Sequence, residues 1–69
     1  MSFYEFMLLA EEGLAEAQYN IGLIYSQGKE VPQNDKEAVR WYHLAAEQGF
    51  AKAQSNLGLM YGKGQGLSL

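Results

Sequence analysis

The feature that most constrains the fold of this chain is an internal repeat with an offset of 36 residues. Residues 10–31 read AEEGLAEAQYNIGLIYSQGKEV and residues 46–67 read AEQGFAKAQSNLGLMYGKGQGL, so 11 of the 22 aligned positions are identical. Two unrelated sequences of ordinary composition would share about one or two. A period in the thirties, without strand-like alternation, is typical of helix pairs that stack into a solenoid. The sequence therefore predicts an all-α superhelix.

The first copy of the repeat contains a helix with a clear stop signal. Segment 15–27 places its apolar residues at the spacing of one helical face. Gly28 follows this segment, and glycine readily adopts the left-handed conformation that ends a helix. The repeat carries the same pattern to 51–63, where we expect an equivalent helix.

Two further helices are indicated by the residues that begin them. Ser2 and Glu5 have the spacing of a capping box, which predicts a helix from there to about residue 12. Asn34 is the expected N-cap of a second helix over 35–48. Gly49 is placed to end that helix.

The predicted order is four antiparallel helices joined by short turns. If A and B denote the two helices of one repeat unit, the chain reads B, A, B, A. We expect a single domain over 1–69, with a partial repeat helix in 1–12, a complete repeat in 13–48 and a partial second repeat in 49–69.

Packing expectations follow from residues that recur within the helices. Gly22 and Gly58 lie mid-helix, where glycine is about 1 kcal/mol less favourable than alanine. Their recurrence predicts close approach of a neighbouring helix that a Cβ would block. The aromatic residues at helical spacing are expected in the core, with their polar tips bonded to a partner or to water; they are Tyr25, Trp41, Tyr42 and Tyr61.

Composition and charge argue against several classes of function. The net charge is -3 and the five Lys and Arg residues are scattered, so no basic stripe indicates a nucleic-acid partner. The N-terminal residues lack the positive leader of a signal peptide, and no apolar run approaches the roughly 20 residues that cross a bilayer. The chain has no cysteine, and its one histidine, His43, has no second histidine or carboxylate at ligand spacing. We therefore predict no metal, cofactor or catalytic residue.

A longer motif identifies a family resemblance. The pattern A-x-x-G-x-x-x-A-x-x-x-[IL]-G-x-x-Y-x-x-G, followed by V-P-Q-[ND] and A-x-x-W-Y-x-x-A-A-x-x-G, resembles the Sel-1-like repeat over residues 10–67. Glu30 departs from the pattern, because the family usually has glycine there. The first copy is carried by Ala10, Gly13, Ala17, Ile21, Gly22, Tyr25, Gly28, Val31, Asn34, Ala38, Trp41, Tyr42, Ala45, Ala46 and Gly49. The second copy is carried by Ala53, Leu57, Gly58, Tyr61, Gly64 and Gly66.

The resemblance implies a right-handed α-solenoid related to tetratricopeptide arrays, and an adaptor that binds a protein or peptide. By analogy with those arrays, the partner-binding residues lie on the concave face of the A helices. Asn20 and Asn56 recur there, either to bond a peptide or to brace their own repeat; Ser55 and Lys63 share the face. The predicted contacts are Glu16, Tyr19, Asn20, Leu23, Gln27, Lys52, Asn56 and Leu59.

Two alternatives to the adaptor role remain open from the sequence. One is a structural end-cap or spacer of a larger array, with no partner of its own. The other is a hydrolase-like enzyme, which is less well supported because no nucleophile–base pair is visible. A further expectation is either self-association through the C-terminal helix or a continuation of the array in the natural protein, since a solenoid end exposes apolar residues. The residues expected to be partly bare are Leu57, Met60, Tyr61 and Leu67.

Overall fold

The computed structural model describes residues 1–63, and these form four α-helices: α1 Phe3–Glu11, α2 Ala15–Gln27, α3 Asp35–Glu47 and α4 Ala51–Lys63. Consecutive helices pack against each other in chain order. No strand occurs among these residues, which confirms the predicted all-α class. The bounds of α2 and α4 agree with prediction, whereas α1 and α3 each end one residue earlier than expected.

The predicted caps are present at both B helices. The backbone N–H of Glu5 donates to Oγ of Ser2 at 3.2 Å, and the N–H of Ser2 donates to Oε1 of Glu5 at 2.9 Å. At α3, Oδ1 of Asn34 accepts from the N–H of Glu37 at 3.1 Å. These bonds satisfy donors that the first helical turn leaves without partners.

Left-handed glycines stand in all three turns between the described helices. Gly13, Gly28 and Gly49 have φ of 101°, 67° and 87°, a region that residues with a Cβ rarely adopt. No other residue type within 1–63 has a positive φ. Glu30 is therefore accommodated without left-handed backbone, despite replacing the glycine that is usual at its position.

Trp41 and Tyr42 of α3 are buried in two different clusters. Adjacent residues of a helix lie about 100° apart around its axis, so the two rings leave α3 on different sides. Trp41 packs with α1 and α2 in a cluster formed with Ala10, Ala17 and Ile21. Tyr42 packs with α4 in a second cluster that includes Ala38, Val39, Ala45, Ala53, Leu57 and Met60. Both rings are buried, as predicted.

The other two predicted core aromatics are less enclosed. Tyr25 is half-buried, and its ring meets that of Phe3 edge to face with centroids 5.7 Å apart. Tyr61 is 43% exposed. The indole Nε1 of Trp41 has no hydrogen-bond partner within residues 1–63.

The close helix contact predicted at the recurring glycines occurs at Gly22 and not at Gly58. A Cβ on Gly22 would lie 2.5 Å from Cε1 of Tyr42. At Gly58 no described atom beyond its own helix and chain neighbours lies within 4 Å of the equivalent position. The prediction for Gly58 is therefore wrong within residues 1–63. At Gly22 the contact comes from α3, the helix that follows α2, whereas residues 1–63 contain no helix after α4 that could make the same contact with Gly58.

The expectation of a bare C-terminal helix is wrong for two of its four residues. Leu57 and Met60 are each only 7% exposed, because α3 covers that face of α4. Tyr61 is exposed, as expected. Leu67 lies outside the described residues.

The sequence repeat is reproduced by a repeated hydrogen bond. Nε2 of Gln18 donates to the carbonyl of Ala10 at 3.2 Å, and Nε2 of Gln54 donates to the carbonyl of Ala46, also at 3.2 Å. Each glutamine thus joins an A helix to the end of the preceding B helix. Gln18 is buried, whereas Gln54 is exposed.

Candidate functional site

A surface groove lies between α2 and α4 within residues 1–63. It has a volume of about 250 Å³, and α3 forms its floor. The turn before α3 and the first residue of α3 contribute to its wall. The lining residues are Leu23, Ser26, Gln33, Asp35, Tyr42, Asn56, Leu59 and Met60.

The groove brings together three of the eight predicted partner-binding residues: Leu23, Asn56 and Leu59. Leu59 is 63% exposed and is the most exposed of the apolar residues that line the groove. Glu16, Gln27 and Lys52 are exposed but do not line the pocket, and Ser55 is also exposed. The side chain of Lys63 lies outside the described part of the chain. Whether any of these residues binds a partner stays a prediction.

Tyr19 packs inside the fold more than it faces the groove. Its ring centroid lies 5.7 Å from that of Tyr42 and 5.3 Å from that of Phe50. It is half-buried against the cluster shared by α3 and α4. Its place in the structure is therefore that of a core residue at the edge of the groove.

The two recurring asparagines have different surroundings. Nδ2 of Asn20 donates to the backbone carbonyl of Glu16 at 3.0 Å, so its amide braces its own helix. Asn56 is half-buried and lines the pocket. The two asparagines occupy equivalent positions in the repeat, but only Asn56 lines the groove where a ligand could reach it.

Sequence reasoning missed the groove residues that come from the turn before α3. The N–H of Asn34 donates to the carbonyl of Tyr25 at 3.0 Å, which holds this turn against the end of α2. Nε2 of Gln33 then donates to the carbonyl of Ser26 at 3.0 Å. Asp35 follows in the first turn of α3. The V-P-Q-N segment did indicate a turn in the sequence. Helical periodicity, however, predicts which face a helix residue occupies and says nothing about where a turn residue lies.

The polar side chains at one end of the groove are joined by hydrogen bonds. Oγ of Ser26 donates to the carbonyl of Leu23 at 3.0 Å, and it lies 3.4 Å from Oη of Tyr42. Asp35 is the one charged residue among those that line the pocket. The groove therefore combines an apolar wall with a polar end that carries negative charge.

The single histidine is engaged elsewhere. Nε2 of His43 lies 2.7 Å from Oη of Tyr61 on the exposed side of α3 and α4. No group of three or more His, Asp or Glu residues within 1–63 is arranged to hold a metal ion. In the same residues, no helix is long and apolar enough to cross a membrane.

A comparison with known protein families agrees with the helical-repeat fold described above. The model of the Sel1 repeat matches residues 15–50 and 51–68. The chain belongs to the Sel1 repeat family. Proteins of this family are generally protein-interaction modules and are typically non-enzymatic scaffolds. The comparison with curated proteins gave no match.

Two solved structures show the same fold. The crystal structure of a Sel1 repeat protein from Oxalobacter formigenes is similar, with a TM-score of 0.92 and 41% identity over 96% of this chain and 27% of that chain. A protective antigen present in uropathogenic Escherichia coli strains, which displays an SLR fold, matches with a TM-score of 0.53 and 29% identity. That match covers 97% of this chain and 22% of the antigen. The chain thus spans about a quarter of the length of each relative.

Proposed function

We propose that this Sel1 repeat chain binds an extended peptide segment of another protein in the groove between α2 and α4. The observation that carries the proposal is the pocket of about 250 Å³ between these two helices. This volume is below the roughly 300–1,000 Å³ of most small-molecule sites. It suits one or two side chains of a peptide that runs along the groove.

The walls of the groove support a peptide ligand. Leu23, Leu59 and Met60 provide apolar contact for a side chain. An extended peptide also has free backbone N–H and C=O groups, and the amide of Asn56 can donate to one and accept from the other. Leu59 would lose most of its exposed apolar surface on binding.

The alternative functions have less support. Ser26 is the serine in the pocket, but its hydroxyl donates to a backbone carbonyl, and His43 is bonded to Tyr61. This arrangement favours binding over hydrolysis, because a nucleophilic serine needs an adjacent base. The spacer alternative differs from peptide binding in that no peptide should be selected on the chain.

A peptide selection tests the proposal. Random peptides displayed on phage are selected on the full chain, and the affinity of the selected peptides is measured for Leu59→Asp. We expect the substitution to weaken binding by about tenfold or more, since it places a charge where an apolar contact forms. Leu14→Asp is the matched control: Leu14 is 51% exposed, lies outside the groove and is the N-cap of α2, where aspartate is favourable.

Two outcomes contradict the proposal. Peptides that bind Leu59→Asp as tightly as the unaltered chain would use another surface. Failure to select any peptide would favour the spacer role. The melting temperatures of both variants must be measured first, so that loss of folding is not counted as loss of binding.

We also propose that this chain self-associates through α4. Leu59 and Tyr61 are its exposed large apolar residues within the described range. Sedimentation of the full chain across a concentration series should show a dimer that Leu59→Asp disrupts. A monomer at all concentrations would exclude this association.

A further inference from the structure

The hydrogen-bond donors at the polar end of the groove are mostly already used. Nε2 of Gln33 donates to the carbonyl of Ser26, and the hydroxyl of Ser26 donates to the carbonyl of Leu23. With the Ser26 proton directed to Leu23, the 3.4 Å contact between the hydroxyls leaves Tyr42 as the donor. The hydroxyl protons of Ser26 and Tyr42 are therefore in use, and Gln33 keeps one of its two amide N–H groups.

Acceptors remain at the same end. A neutral amide whose nitrogen is bonded still presents its oxygen, so Oε1 of Gln33 can accept, and Oη of Tyr42 retains a lone pair. Asp35 makes no hydrogen bond through its side chain and no ion pair with residues 1–63, and an ionised carboxylate only accepts. The side-chain donors that remain in the lining are the amide of Asn56 and the second N–H of Gln33. The pocket is thus rich in acceptors and carries one negative charge.

We propose that this pocket takes the side chain of a lysine or arginine from the bound peptide. This inference rests on the proposed function and specifies the chemistry of the partner. The aliphatic stem lies along Leu23, Leu59 and Met60, and the cationic head reaches Asp35 and Oε1 of Gln33. Basic side chains commonly bury their stems against apolar surface while the charged end meets a polar partner.

Other side chains satisfy the pocket less well. A carboxylate would face Asp35 across the groove, and like charges repel. An aliphatic side chain without a cation would cover the same leucines but form no charge-assisted hydrogen bond with Asp35. The pocket therefore distinguishes peptide side chains both by their charge and by the number of hydrogen-bond donors they carry.

The test uses three peptides that differ at one position: acetyl-Ala-Ala-Lys-Ala-Ala-amide and its norleucine and glutamate counterparts. Binding to the full chain is followed by methyl NMR signals of Leu23, Leu59 and Met60. We expect the lysine peptide to bind about tenfold more tightly than the norleucine peptide, as one charge-assisted hydrogen bond allows. The glutamate peptide should bind most weakly.

Substitution of Asp35 tests the source of the preference. Asp35→Asn should bring the lysine and norleucine affinities to within about threefold, and Asp35→Glu should keep most of the preference. Glu37→Gln is the matched control, because it removes the same charge from the same helical turn while Glu37 pairs with Arg40 and does not line the pocket. It should leave the lysine preference unchanged.

A second readout does not depend on the folding of a variant. In the unaltered chain, the lysine preference should shrink at about 1 M salt, where the screening length falls to about 3 Å. Equal binding of the lysine and norleucine peptides to the groove would overturn the cationic specificity but leave the peptide-binding function standing. No methyl shift with any peptide would contradict both proposals at this surface. A preference that survives Asp35→Asn would also overturn the inference.

Discussion

The ring of Tyr42 lies where a side chain on Gly22 would begin. A Cβ at residue 22 would be 2.5 Å from Cε1 and 2.6 Å from Cδ1 of that ring. The tyrosine is only 1% exposed and packs in the cluster shared by α3 and α4. The absence of a side chain on α2 therefore lets α3 approach at this point.

Substitution of the two recurring glycines should have opposite effects. Gly22→Ala should lower the free energy of unfolding by about 1–2 kcal/mol, because overpacking exceeds the gain in helix propensity. Gly22→Leu should cost more than about 2 kcal/mol. Gly58→Ala is the control and should raise stability by about 0.5–1 kcal/mol, since no described atom blocks its Cβ. Urea denaturation of each variant measures these values, and equal effects at both positions would contradict the contact.

Trp41 is expected to be essential for folding. Trp41→Ala should cost about 3–5 kcal/mol, comparable to all that the core of so small a domain supplies. Far-UV circular dichroism should then show an unfolded chain at room temperature. Trp41→Phe should stay folded, because it keeps an aromatic ring and removes an indole N–H that lacks a partner within residues 1–63. A cooperative transition in Trp41→Ala would show that the α1–α2–α3 cluster is dispensable.

The repeated glutamine bonds should contribute unequally to stability. Gln18→Ala should cost about 1–3 kcal/mol, because it removes two hydrogen bonds of a buried side chain, one to the carbonyl of Ala10 and one from Nε2 of Gln48. Gln54→Ala should cost less than about 0.5 kcal/mol, since water can replace an exposed bond. Thermal denaturation of the two variants gives the comparison. Similar losses would mean that burial does not decide the strength of this bond.

The N-terminal capping box should depend on pH. The pKa of Glu5 lies below its ordinary value of 4.5. The largest cause is the hydrogen bond from the backbone N–H of Ser2, and the hydrogen bond with the side chain of Ser2 is the second. A lowered pKa in the folded state means that the cap stabilises fully above that ordinary value and is lost as pH falls through the folded pKa.

The Cα chemical shifts of the first turn of α1 report this transition. They should move toward coil values as pH falls below 4.5. In Glu5→Gln, which has no titrating group at this position, the same shifts should be independent of pH. A first turn that keeps its helical shifts down to full protonation of Glu5 would show that the carboxylate is not needed for the cap.

The sequence alone determined the helices, their caps and the solenoid class. These features depend on local contacts: Asn34 caps the residue three positions on, and Gly28 ends the helix that directly precedes it. The offset of 36 residues also predicted a helix over 15–27 and another over 51–63, and the structure has both helices with these bounds.

Only the tertiary structure decided which copies of a repeated residue act alike. Gly22 and Gly58 occupy the same place in the repeat, but only Gly22 meets a ring among the described residues. The groove likewise depends on Gln33, which a turn carries to the end of α2. A repeat determines what each helix presents along its length, whereas contacts depend on which element lies opposite in space, and that differs from one helix of the array to the next.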